Sequence, residues 1–195
     1  MSRYRIHDQF GRYFLTMSVV DWVDVFSRKE YRDILIESLR YCQANKGLEV
    51  NAYVIMTNHV HLIAQARGDL ALSNILSDFK KFTAKAILNE IREHPQESRR
   101  EWMLHRFAFR GRTNFGQREN QFWQGGNHPI ELYSLPFIAQ KLEYIHQNPV
   151  KAGWVREAKH YSYSSAATYA GEEGLLPIVQ IDLMQGPFPE TGFRR

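Results

Sequence analysis

Two histidines one position apart are the residues best suited to chemistry. In the stretch YVIMTNHVHLIA, residues 53–64, His59 and His61 flank Val60. Side chains alternate along a strand, so both imidazoles project from one face while Val60 and Leu62 project from the other. Two imidazoles at adjacent same-face positions can hold one divalent cation and leave places for a third ligand, water and a substrate oxygen. That is an open Lewis-acid site. A closed structural zinc site takes four protein ligands, usually with thiolates, and Cys42 is the only cysteine. The competing reading is a pair of histidines hydrogen-bonded on a half-buried sheet. Against it, the doublet, with Asn58 beside it, interrupts sequence otherwise suited to a core.

A second group lies in KLEYIHQNPVKAGWV, residues 141–155. Ile138, Leu142 and Ile145 recur at spacings of four and three, an apolar helix row that would pack on the sheet. Lys141, Tyr144 and Asn148 fall on a neighbouring face, and Tyr144 and Asn148, four apart, lie one above the other, so a phenol and an amide can converge. Pro149 is expected to stop this helix at Asn148 and to disturb that residue's geometry. A phenol ordinarily titrates near pH 10, so attack on phosphorus at neutral pH needs help, which a cation polarising the phosphate would give. The resulting phosphotyrosine ester keeps the energy of the broken bond, so a strand could be resealed without a nucleotide cofactor. With ten tyrosines in the chain, spacing shows that Tyr144 is compatible with this role and does not select it.

The elements that must position these groups follow from hydrophobic periodicity. Residues 13–20 read as a first strand. Ser27 is placed to cap a helix from Arg28 to about Ala44, with apolar residues at Tyr31, Ile34, Leu35, Leu39 and Cys42 and a stop at Gly47. Residues 48–56 and 59–65 form a hairpin across Thr57-Asn58. A long helix spans about 70–91, with Leu72, Ile75, Leu76, Phe79, Phe82, Ala86 and Ile87 on its apolar side and Lys80, Lys81 and Lys85 on its polar side. Residues 119–124 are expected as a short fourth strand, closed by Gly125-Gly126 and Pro129. A third helix runs from about Leu135 to Asn148, and YSYSSAATY, residues 161–169, is expected to pack back on the sheet. The order predicts an α+β fold, a ferredoxin-like split βαβ sandwich with an antiparallel sheet, helices on one face and an added C-terminal helix. Residues 1–170 read as one domain and 171–195 as a tail. Such a scaffold hosts many functions and selects none.

Size and composition allow one substantial core in 195 residues. One cysteine excludes a disulfide framework. No apolar run approaches a membrane span and the N-terminus has no signal-like apolar core, so a cytoplasmic protein without a membrane partner is expected. Charge is unevenly placed. Between Arg92 and Arg118, seven arginines face three glutamates, a surplus equal to the net +4 of the whole chain. Trp102, Phe107, Phe109 and Phe115 are interleaved with them, a pattern that suits a phosphate backbone with unstacked bases and equally a solvated helix and loop.

Taken together, YVIMTNHVHLIA, YIHQNPVKAGWV and YSYSSAATY resemble the HUH single-strand transposases of the IS200-like type, and especially the REP-associated tyrosine transposases of bacteria. The likeness covers roughly residues 10–170. It implies metal ligation by His59 and His61, Tyr144 as nucleophile and Asn148 as the third, amide-bearing ligand, where insertion-sequence relatives carry glutamine. It further implies Mg²⁺ or Mn²⁺ and a single-stranded DNA substrate folded as a REP-like palindromic hairpin, cleaved to a 5′-phosphotyrosine and a 3′-hydroxyl. A bacterial, nucleoid-associated location and a monomer or homodimer go with it. The basic segment 92–118, through Arg106, Arg110 and Arg112, together with Lys80, Lys81 and Lys85, is then the expected hairpin surface. Two other readings compete: a non-catalytic nucleic-acid-binding protein on the same ferredoxin-like scaffold, and a metal-dependent phosphodiesterase that uses water in place of tyrosine with His59 and His61 as ligands.

Overall fold

A computed structural model describes residues 5–113 and 118–183. The chain opens with strand β1 (Tyr13–Ser18) and helix α1 (Lys29–Lys46), followed by β2 (Leu48–Ile55) and β3 (His59–Ala66). Helices α2 (Leu72–Glu93) and α3 (Arg100–Thr113) come next. Then follow β4 (Ile130–Glu131), α4 (Leu135–Lys151) and the single turn α5 (Ala166–Tyr169). The sheet is antiparallel in the order β2-β3-β1-β4, the arrangement of a split βαβ sandwich.

The register divides the sheet into two chemical faces. His59 lies opposite Ser18, His61 opposite Thr16 and Ile63 opposite Phe14, so these six share a face, while Leu15, Met17, Val60 and Leu62 point the other way. That second set is wholly buried, beneath α1 and α2, which pack along each other. Helix α4 covers the histidine face through Ile138, Leu142 and Ile145, all buried. The α1–α2 side of the sheet is therefore apolar, whereas the other face carries the histidines and, further along β3, Gln65 hydrogen-bonded to Glu49.

Several expected boundaries differ for identifiable reasons. Ser27 does not cap α1: Arg28 holds the cap position without a side-chain bond, and Ser27 Oγ donates instead to the Asp24 carbonyl. The stop at Gly47 is as expected, in a left-handed conformation (φ 69°) against the Arg67 carbonyl, where a Cβ would collide. The fourth strand is Ile130–Glu131 and not 119–124, which contributes a single bridge, Val19 to Trp123. Phe122 and Trp123 are consecutive and both buried, which breaks strand alternation, and the Gly125-Gly126 turn interrupts the pairing with β1, which resumes with the Thr16 N–H donating to the Asn127 carbonyl at 2.9 Å and becomes a strand at Ile130. Helix α4 continues through Pro149 to Lys151, because a proline in the last turn forfeits only one hydrogen bond. It ends where Gly153 turns left-handed (φ 76°). Asn148 thus keeps helical geometry one turn above Tyr144.

The aromatic segment after α4 docks as expected, but on the edge of β2. Tyr161 Oη donates to the Ile55 carbonyl at 2.8 Å, Ser165 Oγ accepts from the Tyr53 N–H at 3.0 Å, and His146 Nε2 shares a 3.0 Å hydrogen bond with that Oγ. The first part of the tail is also strapped down. Leu176 is buried, Gln43 Nε2 donates to the Pro177 carbonyl and the Val179 N–H to the Val50 carbonyl. No helix of the described residues is long and apolar enough to cross a membrane.

Candidate active site

The site is assembled from β1, β3 and α4. The His59 and His61 ring centroids are 4.7 Å apart, so alternation places them side by side as expected. Each ring is oriented through its Nδ1. His59 Nδ1 donates to Asn58 Oδ1 at 2.7 Å, and His61 Nδ1 shares a 2.9 Å hydrogen bond with Thr16 Oγ1 from the neighbouring strand. His61 is only 4% exposed, and its Nε2 is buried with no hydrogen-bond partner. A buried, unpartnered imidazole nitrogen is costly in a finished fold and natural in a metal ligand whose other nitrogen is held by a hydrogen bond.

The electrostatics agree with that form. Burial lowers the His59 pKa from its ordinary value, and it lowers His61 further, to about 3, with His59 and the Lys141 ammonium adding to the effect. Both rings are therefore neutral at physiological pH, the state in which imidazole binds metal. Among the described residues no cluster of three or more histidine, cysteine or carboxylate side chains could hold a metal. Further ligands would have to come from other groups, such as an amide or water.

Tyr144 reaches this pair. Its ring stands edge-on to His61 with centroids 5.1 Å apart and to Phe14 at 5.9 Å, although it is 42% exposed. Among the described residues its hydroxyl has no hydrogen-bond partner. Asn148 Nδ2 donates back to the Tyr144 carbonyl at 2.8 Å, which fixes the amide on the same side of the helix and leaves Oδ1 as its open acceptor.

One member went unassigned in the sequence. Lys141 Nζ lies 5.0 Å from the Phe14 ring centroid, 5.3 Å from that of Phe137 and 5.9 Å from that of Tyr144, with no salt bridge to a described residue. Its i, i+3 relation to Tyr144 was the available signal.

The expected DNA-contacting cations divide. Lys81, Lys85 and Arg112 are exposed and make no salt bridge to a described residue. Lys85 lines an open cleft with Arg92, Asn89, Glu119 and Asn120. Lys80 does not belong with them. Its Nζ donates to the Gln124 and Gly126 carbonyls and to Asn127 Oδ1 at 2.9–3.1 Å, holding the glycine turn, and burial pushes its ammonium down to about 8. Arg106 and Arg110 are committed to Asp21: Arg110 Nε donates to both carboxylate oxygens at 2.7 and 2.8 Å, and Arg106 Nε lies 3.2 Å away. Of the interleaved aromatics, Phe107 is in the core and Trp102 and Phe109 are exposed, while Phe115 lies outside the described residues.

Comparison with known proteins places this geometry. Residues 13–126, which carry both histidines and end before Tyr144, match the family described as transposase, IS200 like. No curated protein matches the chain. Among solved structures, a REP-associated tyrosine transposase bound to a REP hairpin is similar in fold. Its TM-score is 0.63 at 21% identity, over 100% of this chain and 99% of that one. A protein of Deinococcus radiodurans R1 assigned as a transposase overlaps more loosely, with a TM-score of 0.42 at 20% identity over 74% of this chain and 95% of its own. With more than half its length, and the whole histidine strand, inside the family match, the chain belongs to the IS200-like transposases.

Proposed function

We propose that this transposase cuts and rejoins single-stranded DNA beside a folded, palindromic hairpin through a 5′-phosphotyrosine on Tyr144, with Mg²⁺ or Mn²⁺ held by His59, His61 and Asn148. One observation carries the reading: an exposed helix tyrosine whose hydroxyl has no partner among the described residues stands against a buried histidine whose Nε2 has none. The hairpin as substrate class is taken from the similar structure, which is of a transposase bound to a REP hairpin. When bound, the cation supplies Lewis-acid polarisation of the scissile phosphate.

The chain's own residues do the rest. Asn58 and Thr16 hold the two Nδ1 atoms, and with both of these donating, each ring would keep its Nε2 lone pair for the cation. Tyr144 Oη attacks phosphorus, the bond from phosphorus to the 3′-oxygen breaks, the phenolic proton is released and the departing oxygen takes one up. The reverse attack by a 3′-hydroxyl restores the phosphodiester and returns the phenol. Lys141 places positive charge beside Phe14 and Tyr144, where it offsets phosphate charge in a site walled by aromatic rings. Lys81, Lys85, Arg92 and Arg112 are the cations positioned to meet the hairpin backbone.

The test is covalent. Purified protein incubated with single-stranded hairpins from the DNA flanking its own gene, with Mn²⁺ or with EDTA, should form a denaturation-resistant adduct only with metal. Tyr144→Phe should bind the hairpin and form none. An adduct that persists in Tyr144→Phe, or metal-dependent cleavage by the native protein with no adduct at any time point, rejects the tyrosine mechanism, and the latter favours a water nucleophile.

A further inference from the structure

Immediately after β1 the chain turns through two consecutive non-glycine residues in left-handed backbone, Asp21 (φ 54°) and Trp22 (φ 56°). This region is sparsely populated by L residues, and a bulky side chain there is an outlier that the surroundings must enforce. They do so from three directions. Arg110 and Arg106 grip the Asp21 carboxylate, which is 12% exposed, and Asn58 Nδ2 donates to the Trp22 carbonyl at 3.3 Å. The Val20 N–H donates to the Phe122 carbonyl at 2.8 Å.

The forced turn does not bury the indole. Trp22 remains 57% exposed, outside the core, with its ring edge-on to His59 at 5.8 Å. Asn58 joins the two, since its Oδ1 orients His59 while its Nδ2 holds the Trp22 backbone. A strained, braced and exposed indole therefore stands at the rim of the histidine pair. We propose that Trp22 is the stacking platform for an unpaired nucleobase adjoining the scissile phosphate, with Asp21, Arg106 and Arg110 as positioning residues that hold it. Every base has a π-face, so such a platform sets where the strand lies more than which base is present. This rests on the single-stranded DNA reading above.

The test uses the full chain and hairpins from the DNA flanking its gene, with and without unpaired extensions, carrying the fluorescent base 2-aminopurine at successive unpaired positions. In the native protein one or two positions beside the cut should be quenched. Trp22→Ala and Trp22→Asn should abolish that quenching and weaken binding of the extended hairpin by about 5- to 150-fold, the range given by a stack of about 1–3 kcal/mol at 1.4 kcal/mol per tenfold. The hairpin without an extension should bind them unchanged, and Trp22→Phe should restore most of the difference. Asparagine tolerates left-handed backbone, so Trp22→Asn separates loss of the ring from disturbance of the turn. Unchanged affinity and quenching in both folded variants, or equal weakening for the two hairpins, overturns the proposal. Trp22-dependent quenching without any Tyr144 adduct in the native protein supports the platform while rejecting the tyrosine chemistry.

Discussion

Thr16→Val isolates the contact that orients the buried histidine. It replaces a hydroxyl with a methyl of similar size and removes the 2.9 Å hydrogen bond to His61 Nδ1 across the β1–β3 register. In the metal-free protein this leaves a polar atom without its partner in a residue that is 4% exposed, a cost of about 1–3 kcal/mol in unfolding free energy. In the metal-bound protein it removes the group that holds the ring, and loss of such an outer partner typically weakens metal binding about 10–100-fold, or roughly 1.4–2.8 kcal/mol. Urea unfolding with EDTA reads the first effect, and Mn²⁺ titration by calorimetry at pH 7.5 reads the second. Thr16→Ser, which keeps the hydroxyl, should recover most of both. If Thr16→Val binds Mn²⁺ within twofold of the native protein, Thr16 does not orient a metal ligand and the assignment of His61 Nε2 to the cation loses its support.

Other expectations follow from the same geometry. Lys141→Gln should slow single-turnover cleavage by on the order of tenfold or more, as removal of charge stabilisation at a phosphoryl centre does, with hairpin affinity little changed and partial recovery in Lys141→Arg. An unchanged rate removes Lys141 from the site. Burial pushes the Glu97 carboxyl up, but the Arg99 backbone N–H, the Tyr31 hydroxyl and the Arg28 guanidinium outweigh it and hold the carboxyl below its ordinary 4.5. Its contribution is thus present above about pH 4.5 and lost as pH falls through the lower folded value. Glu97→Gln should cost on the order of 2 kcal/mol at pH 7 and flatten the acid limb of stability, read by urea midpoints from pH 3 to 7. Neutralising Lys85 and Arg112 should weaken binding of all hairpins alike and reduce the salt slope by about 0.7–0.9 for each phosphate no longer neutralised. Lys80→Gln should instead lower thermal stability with the slope intact, since its ammonium holds a turn.

The parts of the fold legible in sequence are those decided by periodicity. Period-two alternation put His59 and His61 on one face, and the three-and-four spacing put Tyr144 beside Asn148, because both follow from backbone geometry alone. Most failures at the basic segment come from interactions that span the chain, such as the Arg110 bond to Asp21. Yet one error left a local trace. Lys80 falls in the row Leu76, Lys80, Thr83, Ile87, the buried stripe of α2, whereas Phe82, grouped with the core, lies among Asp78, Lys81 and Lys85 and is 62% exposed. A strict helical count would have exchanged the two. The short β4 had no such trace, since a two-residue strand is too brief to show a period, and the aromatic pair Phe122-Trp123 outweighed it in composition.

The basic segment shows why charge counted along a chain differs from charge offered at a surface. Arg99 bonds Asp24 and lies 3.5 Å from the buried Glu97, and Arg100 donates to the Ile91 and His94 carbonyls. Arg106 and Arg110 hold Asp21. Four of the seven arginines are therefore committed to joining this segment to the turns after β1 and α2, and Arg92, Arg112 and Arg118 are left exposed to solvent. The consequence is mechanical as well as electrostatic. Helix α3 packs its core side through Met103, Phe107 and Gly111, the last so close to the Arg118 carbonyl and Asn120 that no Cβ fits. Its polar side fixes the Asp21–Trp22 turn beside His59. Helix α3 thus borders the exposed cations and also braces the turn at the rim of the histidine pair, so one rigid element sets the distance between the two.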